Sequence, residues 1–395
     1  MSQDRQPSVV TAGELATYLR DGRARSLSEL AAAFGLSRST VKQRVDELLG
    51  IGLVAQTGEA VSTGGRPSSQ YRLQADAWLI VGIDLGATHS VVGILDLNGQ
   101  VLDSVEAVID IADGPQKVLD GAVRDIHTLL ERISRSGQDL MAIGVGLPGP
   151  VEHASGRPID PPIMPGWNGF DVPGYMASHF QVPTLVDNDV NIAALGERTI
   201  AWPDTDELVY LKVATGIGAG IIAGGTLQRG AQGTAGDIGH IRVASGARNV
   251  CRCGNVGCLE ATASGAVIAR ELRSRGLDAA DSAWVVALAQ QGDIVTTQLL
   301  REAGRVIGEV LTACVSFLNP SVIVIGGPIA FAGEHLLAGI REVVYNRSMP
   351  LATRDLAIVR ARTGGDAALI GASVLAAEHV LSPEFIQELV AQRAA

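Results

Sequence analysis

Apolar segments that run directly into glycine turns recur along most of this chain, and few folds accommodate them. LIVGIDLG (79–86), MAIGVGLPGPV (141–151), LVYLKVATGIGAGIIAGG (208–225) and SVIVIGGPI (321–329) are the clearest examples, and longer stretches with helical periodicity separate them. Buried strands that alternate with helices are typical of α/β proteins, whose polar groups at the strand ends form the functional site. The sequence therefore predicts an α/β body of two lobes from about Trp78 onward.

The composition agrees with a globular protein of more than one domain. Of 395 residues, 47% are hydrophobic, 18% are charged and 47 are glycine. Disordered chains have fewer apolar residues, and disulfide scaffolds have many more than the four cysteines found here. Both classes are therefore excluded, and the length predicts two to three domains.

Residues 11–50 have the pattern of three short helices. Ser26 followed by Glu29 is a capping-box sequence, and Gly35 is placed to end the helix that follows. The next helix can begin after Ser37, because serine is a preferred N-cap residue. Its apolar residues recur with helical spacing at Val41, Val45, Leu48 and Leu49. One face of this helix is therefore expected to pack against the preceding helices.

The opposite face of that helix has the side chains of a DNA-reading helix. It is expected to present Arg38, Ser39, Thr40, Lys42, Gln43 and Arg44. Two short strands, 52–56 and 70–73, surround a loop in which Arg66 could place its guanidinium in a minor groove. These features favour a winged helix-turn-helix that binds DNA at residues 1–75. The alternative is a packing or dimerisation module of the same shape.

The charge of the chain is divided unevenly between these two parts. Residues 1–75 hold nine Lys and Arg against seven Asp and Glu, a net charge of +2. The remainder holds 22 against 35, a net charge of −13. Because nucleic acid is itself an anion, we expect it to avoid the acidic body and to meet the N-terminal part.

The sequence also predicts a cytoplasmic protein that does not bind membranes. The start, MSQDRQPSVV, lacks the basic and then apolar pattern of a signal peptide, and no apolar stretch is long enough to span a bilayer. Four cysteines in a chain of this length argue against an oxidising compartment.

The strongest local signal is a cluster of one histidine and three cysteines. His240 is followed by Cys251, Cys253 and Cys258 in GHIRVASGARNVCRCGNVGCLE. Three thiolates and one imidazole complete the tetrahedral shell of a structural Zn²⁺, and the short turns bring the sulfurs together. The alternative is a set of reduced thiols, or a local disulfide with one cysteine left over. Cys314, in an apolar helical stretch, is expected to lie in the core.

Two strand ends carry small turns of the kind that bind phosphate groups. The first turn contains Asp84, Gly86 and Thr88. The second contains Thr215, Gly216, Gly218 and Gly220. A carboxylate can hold magnesium, and the backbone N–H groups of such turns can bind the phosphates of a nucleotide. For the first turn, an ordinary β-hairpin with an aspartate at the turn is an equal alternative.

Asp189 follows a strand and lies beside Asn188 in VDNDVNIAALGE. A carboxylate at a strand end can act as a general base that deprotonates a hydroxyl group before it attacks phosphorus. Aspartate and asparagine are also typical of the N-cap of a helix. The residues alone leave the two roles of Asp189 open.

Two further carboxylates flank the cysteine cluster. Asp237 precedes the Gly-His pair, and Glu260 follows the last cysteine by two residues. If a metal fixes this loop, both could accept hydrogen bonds from the hydroxyl groups of one ligand, for which a sugar is the natural candidate. The alternative is two surface acids near a metal.

Together these motifs resemble the ROK family of repressors, open reading frames and sugar kinases, and specifically its regulator branch with an N-terminal winged helix. The resemblance covers nearly the whole chain. In addition to the helix-turn-helix and its GGRP wing, it rests on DLGAT (84–88), GVGLPGPV (144–151), VDNDVN (186–191), ATGIGAGI (214–221), GTAGDIGH (233–240), CRCGNVGCLE (251–260) and VIGGP (324–328).

The resemblance implies a sugar-kinase and actin-like body over residues 76–395. Its two lobes are expected at about 76–190 with a C-terminal helix 366–395, and at 191–365. The sugar site between them would be formed by Asn188, Asp189, Asp237, His240 and Glu260. Asp189 would be the catalytic base in kinase members, and His240 would also bind zinc. Gly326 and Gly327 would lie near an adenine pocket, and ATP with Mg²⁺ would be needed only by an active kinase.

Three positions depart from the kinase pattern of the family. The first turn reads DLGATH, where kinases usually have a second glycine and then a basic residue. The second turn begins with Ala214 instead of glycine, and Asp237 replaces the usual glutamate. An added methyl group at a turn hinders the approach of a phosphate, and a shorter carboxylate must lie nearer the sugar. These differences favour sugar binding over kinase activity.

The sequence thus predicts a sugar-responsive transcriptional regulator, a repressor of carbohydrate metabolism genes. Its partners are expected to be operator DNA and a sugar or sugar derivative, and paired half-sites predict a homodimer or homotetramer. Ligand in the cleft would change the spacing of two reading helices. The rival prediction is an ATP-dependent sugar kinase that also binds DNA, with Asp189 as its general base.

Overall fold

The computed structural model describes residues 10–59 and 69–394. The tip of the predicted wing, including Arg66, lies outside the described residues. The fold is mixed α/β, with an N-terminal helical part, two large sheets and a C-terminal helix pair. Short 3₁₀ helices connect several elements, at Leu19–Asp21, Ala75–Ala77, Ile111–Asp113, Gly137–Asp139, Ile238–His240, Ala244–Gly246, Pro328–Phe331 and Gly364–Asp366.

The N-terminal part combines helices with a small antiparallel sheet. Its elements are α1 Ala12–Tyr18, β1 Arg25–Ser26, α2 Leu27–Phe34, α3 Arg38–Gly50, β2 Val54–Glu59 and β3 Ser69–Leu73. β3 lies between β1 and β2 and pairs antiparallel with both. Ser37 caps α3 by accepting a hydrogen bond from the backbone N–H of Thr40. The inner face of α3 buries Val41, Val45 and Leu48. This is the arrangement of a winged helix-turn-helix.

The first sheet of the body has the strand order β10-β7-β4-β5-β6. Its strands and the elements between them are β4 Leu79–Leu85, β5 His89–Asp96, β6 Val101–Val108, α4 Pro115–Arg132, β7 Leu140–Leu147, β8 Val151–Glu152, β9 Arg157–Pro158, α5 Val172–Phe180 and β10 Thr184–Asn188. β4, β7 and β10 are parallel, so their C-terminal ends meet at one edge. β4 and β7 are buried over their whole length, as their continuous apolar sequences predict.

The second sheet has the order β13-β12-β11-β14-β15 and follows α6 Asp189–Ala201. Its strands and helices are β11 Leu208–Val213, β12 Ile217–Ala223, β13 Thr226–Gln228, α7 Glu260–Ala263, α8 Gly265–Ser274, α9 Ser282–Gln290, α10 Ile294–Leu318, β14 Val322–Gly326, α11 His335–Arg347, α12 Pro350–Thr353 and β15 Ala357–Arg360. β11, β14 and β15 are parallel, and β12 and β13 extend the sheet antiparallel.

The C-terminal segment, predicted as one helix over 366–395, forms two. α13 spans Ala367–Val380 and α14 spans Pro383–Ala394. Proline has no backbone N–H to donate and begins α14, so α13 cannot continue through it. α14 packs on α1 of the N-terminal part, where a Cβ added at Gly13 would lie 2.2 Å from Cα of Pro383.

α6 and α13 pack against each other closely because glycine lies in the contact. A Cβ added at Gly371 of α13 would lie 1.6 Å from the carbonyl oxygen of Ile192 in α6. α13 also packs on the first sheet, since a Cβ added at Gly144 of β7 would lie 1.8 Å from the carbonyl oxygen of Ala372. α6 begins where β10 ends. Because α13 packs on α6 and is followed by α14, it links this strand end to α14.

Within the described ranges, no single helix is long and apolar enough to cross a bilayer. The segments Gly364–Val380 and Pro383–Arg393 pass such a test only when taken together, and they are bent by 61°. Most residues of α13 are buried inside the protein.

Candidate functional site

β10 brings Asn188 and Asp189 to the edge at which the parallel strands of the first sheet end. Asn188 is the N-cap of α6, and its Oδ1 accepts a hydrogen bond from the backbone N–H of Val190 at 2.9 Å. Its Nδ2 donates to the carbonyl oxygen of Gly149 at 3.0 Å. The capping role therefore belongs to Asn188, and the carboxylate of Asp189 is left for other contacts.

Asp189 forms an ion pair with Lys212 of β11, a residue whose role was not predicted from the sequence. Oδ2 of Asp189 lies 2.7 Å from Nζ of Lys212, and the two side chains are only 11% and 17% exposed. Burial raises the pKa of Asp189, and the ammonium group of Lys212 opposes this increase. Burial alone would lower the pKa of Lys212, but the carboxylates of Asp189 and Asp84 raise it overall. Lys212 is therefore charged, and the pair connects the two sheets.

Asp84 is the second carboxylate near Lys212. It lies near the end of β4, is 4% exposed, and its Oδ1 has no hydrogen-bond partner among the described residues. Its Oδ2 lies 3.7 Å from Nε2 of His89, and this carboxylate raises the pKa of His89. A buried carboxylate requires nearby positive charge, which Lys212 and His89 can supply.

The first predicted phosphate turn is covered by the side chain of His89. The backbone N–H of Gly86 donates to the carbonyl oxygen of His89 at 2.8 Å, and Thr88 is exposed. The ring of His89 lies against Gly86 so closely that a Cβ added there would be 2.2 Å from its Cε1. The turn is therefore the tip of the β4–β5 hairpin, with an imidazole on one face.

The second predicted turn, between β11 and β12, contacts a carboxylate of this chain. Thr215 in the turn is exposed. The backbone N–H of Ile217 donates to Oε2 of Glu260 at 3.2 Å, and a Cβ added at Gly216 would lie 2.4 Å from the same oxygen. Glu260 therefore occupies the space in front of this turn.

Close packing accounts for the remaining glycines predicted near a nucleotide. A Cβ added at Gly326 would lie 2.0 Å from the hydroxyl oxygen of Tyr210. Gly327 has a φ of +79°, and a Cβ there would lie 2.5 Å from a backbone carbonyl oxygen of β11. Gly218 and Gly326 are the strand partners of Lys212 on its two sides. These glycines therefore shape the surroundings of Lys212.

A second, partly buried ion pair lies beside the first and was also not predicted from the sequence. Oδ2 of Asp187 in β10 lies 2.6 Å from Nε of Arg229, which follows β13. Oδ1 of Asp187 accepts a hydrogen bond from Nδ2 of Asn191 at 2.7 Å. Nδ1 of His153 lies 3.7 Å from the same carboxylate, and burial and Arg229 lower the pKa of this histidine. Asp187 and Asp189 thus each pair with a cation, Asp187 with Arg229 just after β13 and Asp189 with Lys212 in β11.

His240, Cys251, Cys253 and Cys258 converge, with their ligand atoms within 4.8 Å of one another. The sulfurs of Cys253 and Cys258 are 3.7 Å apart, and Nδ1 of His240 lies 3.6 Å from the sulfur of Cys251. A tetrahedral zinc ion with Zn–S bonds of about 2.3 Å places two sulfurs about 3.8 Å apart. Nε2 of His240 faces Oδ1 of Asp237 at 3.8 Å, an arrangement typical of metal-bound histidines. The donor set and its spacing therefore fit one zinc ion.

The first residues of β12 lie between the metal cluster and Asp189. A Cβ added at Gly239, the residue before His240, would lie 2.2 Å from the carbonyl oxygen of Ile217. A Cβ added at the next strand residue, Gly218, would lie 3.0 Å from the side chain of Val190, the residue after Asp189. Glu260 and the neighbours of Asp189 and His240 therefore contact the start of β12. The residues predicted to bind sugar lie on the segments that meet there: Asn188, Asp189, Asp237, His240 and Glu260.

α3 carries the residues predicted to contact DNA. Arg38, Ser39, Lys42 and Gln43 are exposed, and Thr40 and Arg44 are half-buried. Nζ of Lys42 lies 2.5 Å from Oδ2 of Asp46, and Nη1 of Arg44 lies 2.8 Å from Oε1 of Glu47. Exposed ion pairs within one helix are weak, so Lys42 can exchange its partner for a phosphate.

Transcriptional regulators are similar to this chain over nearly its whole length. The xylose repressor of Caldicellulosiruptor bescii is 29% identical over 92% of this chain and 95% of its own length. The DNA-binding transcriptional dual regulator NagC of Escherichia coli is 28% identical over 92% and 91%. The crystal structure of a ROK family transcriptional regulator, a homolog of the E. coli MLC protein, superimposes with a TM-score of 0.82 at 25% identity and covers 96% of this chain and 98% of that one.

Sugar kinases match a shorter part. The glucokinase of Halalkalibacterium halodurans is 30% identical over 78% of this chain and 98% of its own length. A ROK family glucokinase from Streptomyces griseus, solved with glucose and AMPPNP, gives a TM-score of 0.65 at 28% identity and covers 75% of this chain and 99% of that one. The ROK family model itself matches residues 80–379, well over half of the chain. The chain therefore belongs to the ROK family.

Proposed function

We propose that this chain is a DNA-binding transcriptional regulator, a repressor of carbohydrate metabolism genes, that responds to a sugar or sugar derivative in its cleft. The observation that carries the proposal is the extent of the matches. The three regulators named above cover 92–96% of the chain, whereas the two kinases named above cover 75–78%. The family model begins at residue 80, so the winged helix-turn-helix precedes it.

The DNA-binding domain comprises residues 1–75 and reads DNA through α3. The first residues of a reading helix contact base edges in the major groove, and here these are Arg38 and Ser39. The net charge of +2 in this segment, against −13 in the rest, directs DNA to it. Because operators contain paired half-sites, the active form is a homodimer or homotetramer with two such helices.

The sugar site lies around the start of β12, in the ROK body over residues 76–395. Asn188, Asp189, Asp237, His240 and Glu260 supply amide, carboxylate and imidazole groups that hydrogen-bond to hydroxyl groups. A structural zinc on His240, Cys251, Cys253 and Cys258 fixes the loop from which Asp237, His240 and Glu260 project. The donor set is closed, because four protein ligands leave no position for a substrate.

The sugar site and the DNA-binding domain are connected through packed helices. α6 begins at Asp189, packs on α13 at Gly371, and α13 leads into α14, which packs on α1 at Gly13. The partly buried ion pairs of Asp187 and Asp189 also connect this strand end to the second sheet and to the residue after β13. A sugar that hydrogen-bonds to Asp189 changes the relative position of the sheets, and the packed helices transmit the change to α3.

The test of this function is an operator titration with the full-length protein and a panel of sugars, amino sugars and their phosphates. The ligand is first identified as the compound that raises the melting temperature of the protein, because a ligand that binds only the folded state stabilises that state. Operator affinity is then expected to change by roughly 5- to 150-fold when this ligand is present. Unchanged affinity across the whole panel would contradict the proposal.

An Arg38→Ala change is expected to weaken operator binding by about 1–3 kcal/mol, because an arginine at the start of a reading helix is placed to contact a base. The measurement is a fluorescence anisotropy titration of labelled operator at fixed salt. Arg354→Ala is the matched control, since this exposed arginine lies on the body and forms its only ion pair within the described residues with its neighbour Asp355. Equal operator affinity of the two variants would contradict the assignment of α3 as the helix that reads DNA.

A further inference from the structure

The ammonium group of Lys212 lies where a phosphoryl-transfer enzyme would bind an exchangeable Mg²⁺ ion. Enzymes of that type hold Mg²⁺ against a nucleotide through carboxylates and keep a base free to accept the hydroxyl proton. Here Asp84 and Asp189 are the carboxylates at the strand ends, and Nζ of Lys212 lies 2.7 Å from Oδ2 of Asp189. Asp84 adds to the negative potential that keeps Lys212 protonated. The cleft therefore contains its own positive charge.

The strand holds Lys212 firmly in this position. β11 is the central strand of its sheet, and Lys212 pairs with Gly218 on one side and Gly326 on the other. Its side chain is largely buried. Moving the ammonium group away from Asp189 would leave a buried carboxylate without its counter-charge, which is strongly unfavourable. Displacement of Lys212 by an incoming metal ion would therefore have a high free-energy cost.

Both turns that would cradle phosphates are occupied by side chains of this protein. The ring of His89 covers Gly86 in the first turn. In the second turn, Oε2 of Glu260 accepts the hydrogen bond that the backbone N–H of Ile217 would donate to a phosphate. A phosphate would also meet the negative charge of Glu260 at this turn. The residues present therefore do not fit ATP with Mg²⁺.

We infer that Lys212 is a built-in counter-ion that takes the place of a divalent cation, so that the cleft binds its sugar ligand without Mg²⁺ or nucleotide. This inference rests on the proposed function, since it concerns the same sugar site. Nζ of Lys212 lies 2.7 Å from Oδ2 of Asp189, so this oxygen already accepts a hydrogen bond and is not free to take the proton of a hydroxyl group, as a general base must. Asp189 instead accepts a hydrogen bond from a ligand hydroxyl. Lys212 is thus a specificity-determining residue that distinguishes a sugar receptor from a kinase.

The test uses the full-length, zinc-loaded protein and Mn²⁺, which replaces Mg²⁺ and is detected by electron paramagnetic resonance. Lys212→Met keeps the length of the side chain and removes its charge, whereas Lys212→Arg keeps the charge. We expect the methionine variant to bind Mn²⁺ at least about tenfold more tightly than wild type, because a unit charge a few ångströms away has an effect of that size or larger. The arginine variant is expected to behave as wild type. Adding Asp84→Asn to the methionine variant is expected to abolish its Mn²⁺ binding.

Titration calorimetry with MgATP and a coupled assay of ADP release complete the test. We expect wild-type protein to show neither MgATP binding nor ADP release in the presence of a sugar that raises its melting temperature. Sugar-dependent ADP release by wild type would overturn the inference. A folded Lys212→Met protein that binds Mn²⁺ no more tightly than wild type would overturn it as well.

If Lys212→Met does not fold, wild type and Asp84→Asn still decide the question. Equal Mn²⁺ binding by these two proteins supports the inference. A stoichiometric Mn²⁺ site that is present in wild type and lost in Asp84→Asn contradicts it. The regulator proposal is judged separately, by the effect of sugar on operator affinity, so either idea can fail without the other.

Discussion

A Cys253→Ser protein is expected to contain no zinc and to melt well below wild type. The four ligand atoms lie within 4.8 Å of one another, and a hydroxyl group is a far weaker zinc ligand than a thiolate. Structural zinc contributes about 10–16 kcal/mol to the folding free energy of small domains. We therefore expect Cys253→Ser to lower the free energy of unfolding by at least about 3 kcal/mol. In a unit of about 150–250 residues, this loss lowers the melting temperature by about 6–12 °C. Metal analysis and differential scanning calorimetry are the measurements.

Loss of zinc is also expected to weaken sugar binding, because the cluster holds the candidate sugar site together. Cys258 forms a β-bridge with Arg242, and the backbone N–H of Leu259 donates to the carbonyl oxygen of Ile241 at 2.9 Å. These contacts fix Glu260 and His240, which lie immediately beside them in the chain. The rise in melting temperature that a sugar produces in wild type is therefore expected to shrink in Cys253→Ser.

Cys314→Ser is the matched control for this experiment. Cys314 undergoes the same chemical change but lies in α10, partly buried against the core of the second sheet and outside the metal cluster. It is expected to keep its zinc and its response to sugar. Wild-type protein without zinc, or Cys253→Ser protein with the wild-type amount, would contradict the zinc assignment.

The parts of the site that the sequence predicted are those encoded by neighbouring residues. The metal cluster falls within nineteen positions, from His240 to Cys258, and its turns bring the ligands together without help from the rest of the fold. The helices α2 and α3 are similarly local, since Ser26 and Ser37 cap them as their sequences predict. Apolar strands that end in glycine turns indicated the α/β class for the same reason.

The ion pairs of the cleft could not be predicted, because they depend on how two sheets meet. Asp189 and Lys212 are 23 residues apart and belong to different sheets. One signal was available: Lys212 is the only charged residue in the strand LVYLKV, and a buried lysine needs an acidic partner. The sequence does not say which of several carboxylates that partner is.

Two further details of the helices differ in how far the sequence could predict them. Asn188 and Asp189 can both cap a helix, and only the backbone turn decides that Asn188 does so. The C-terminal segment was predicted as one helix although Pro383 carries a clear signal for a break. The first case required the structure, whereas the second could have been read from the sequence.

A Gly13→Val protein is expected to bind sugar as wild type does and to lose most of the effect of sugar on operator affinity. A Cβ at Gly13 would lie 2.2 Å from Cα and 2.4 Å from the carbonyl oxygen of Pro383. Because both are backbone atoms, no side-chain rotation relieves the overlap, and α1 must move away from α14. Such overpacking costs about 1–3 kcal/mol, which is comparable to the coupling between an effector and its operator.

The experiment compares operator titrations with and without the sugar, and the melting temperature with the same sugar reports whether the cleft still binds it. Gly50→Ala is the matched control in the same domain, since a Cβ there meets nothing within 4 Å. It is expected to keep the full sugar response.

The contact between α1 and α14 is decisive because it connects the DNA-binding domain to the helix that follows α13. Thr17 also donates to the carbonyl oxygen of Leu381 at 3.3 Å, and Arg393 donates to that of Gly50 at 3.4 Å. The buried apolar residues of α1 and α3 form one core with those of α13 and α14. A rigid connection of this kind transmits a shift of α13, whereas a flexible linker would absorb it. If Gly13→Val retains the wild-type sugar response at the operator, the signal must reach α3 by another route, and the proposed path through α13 and α14 is wrong.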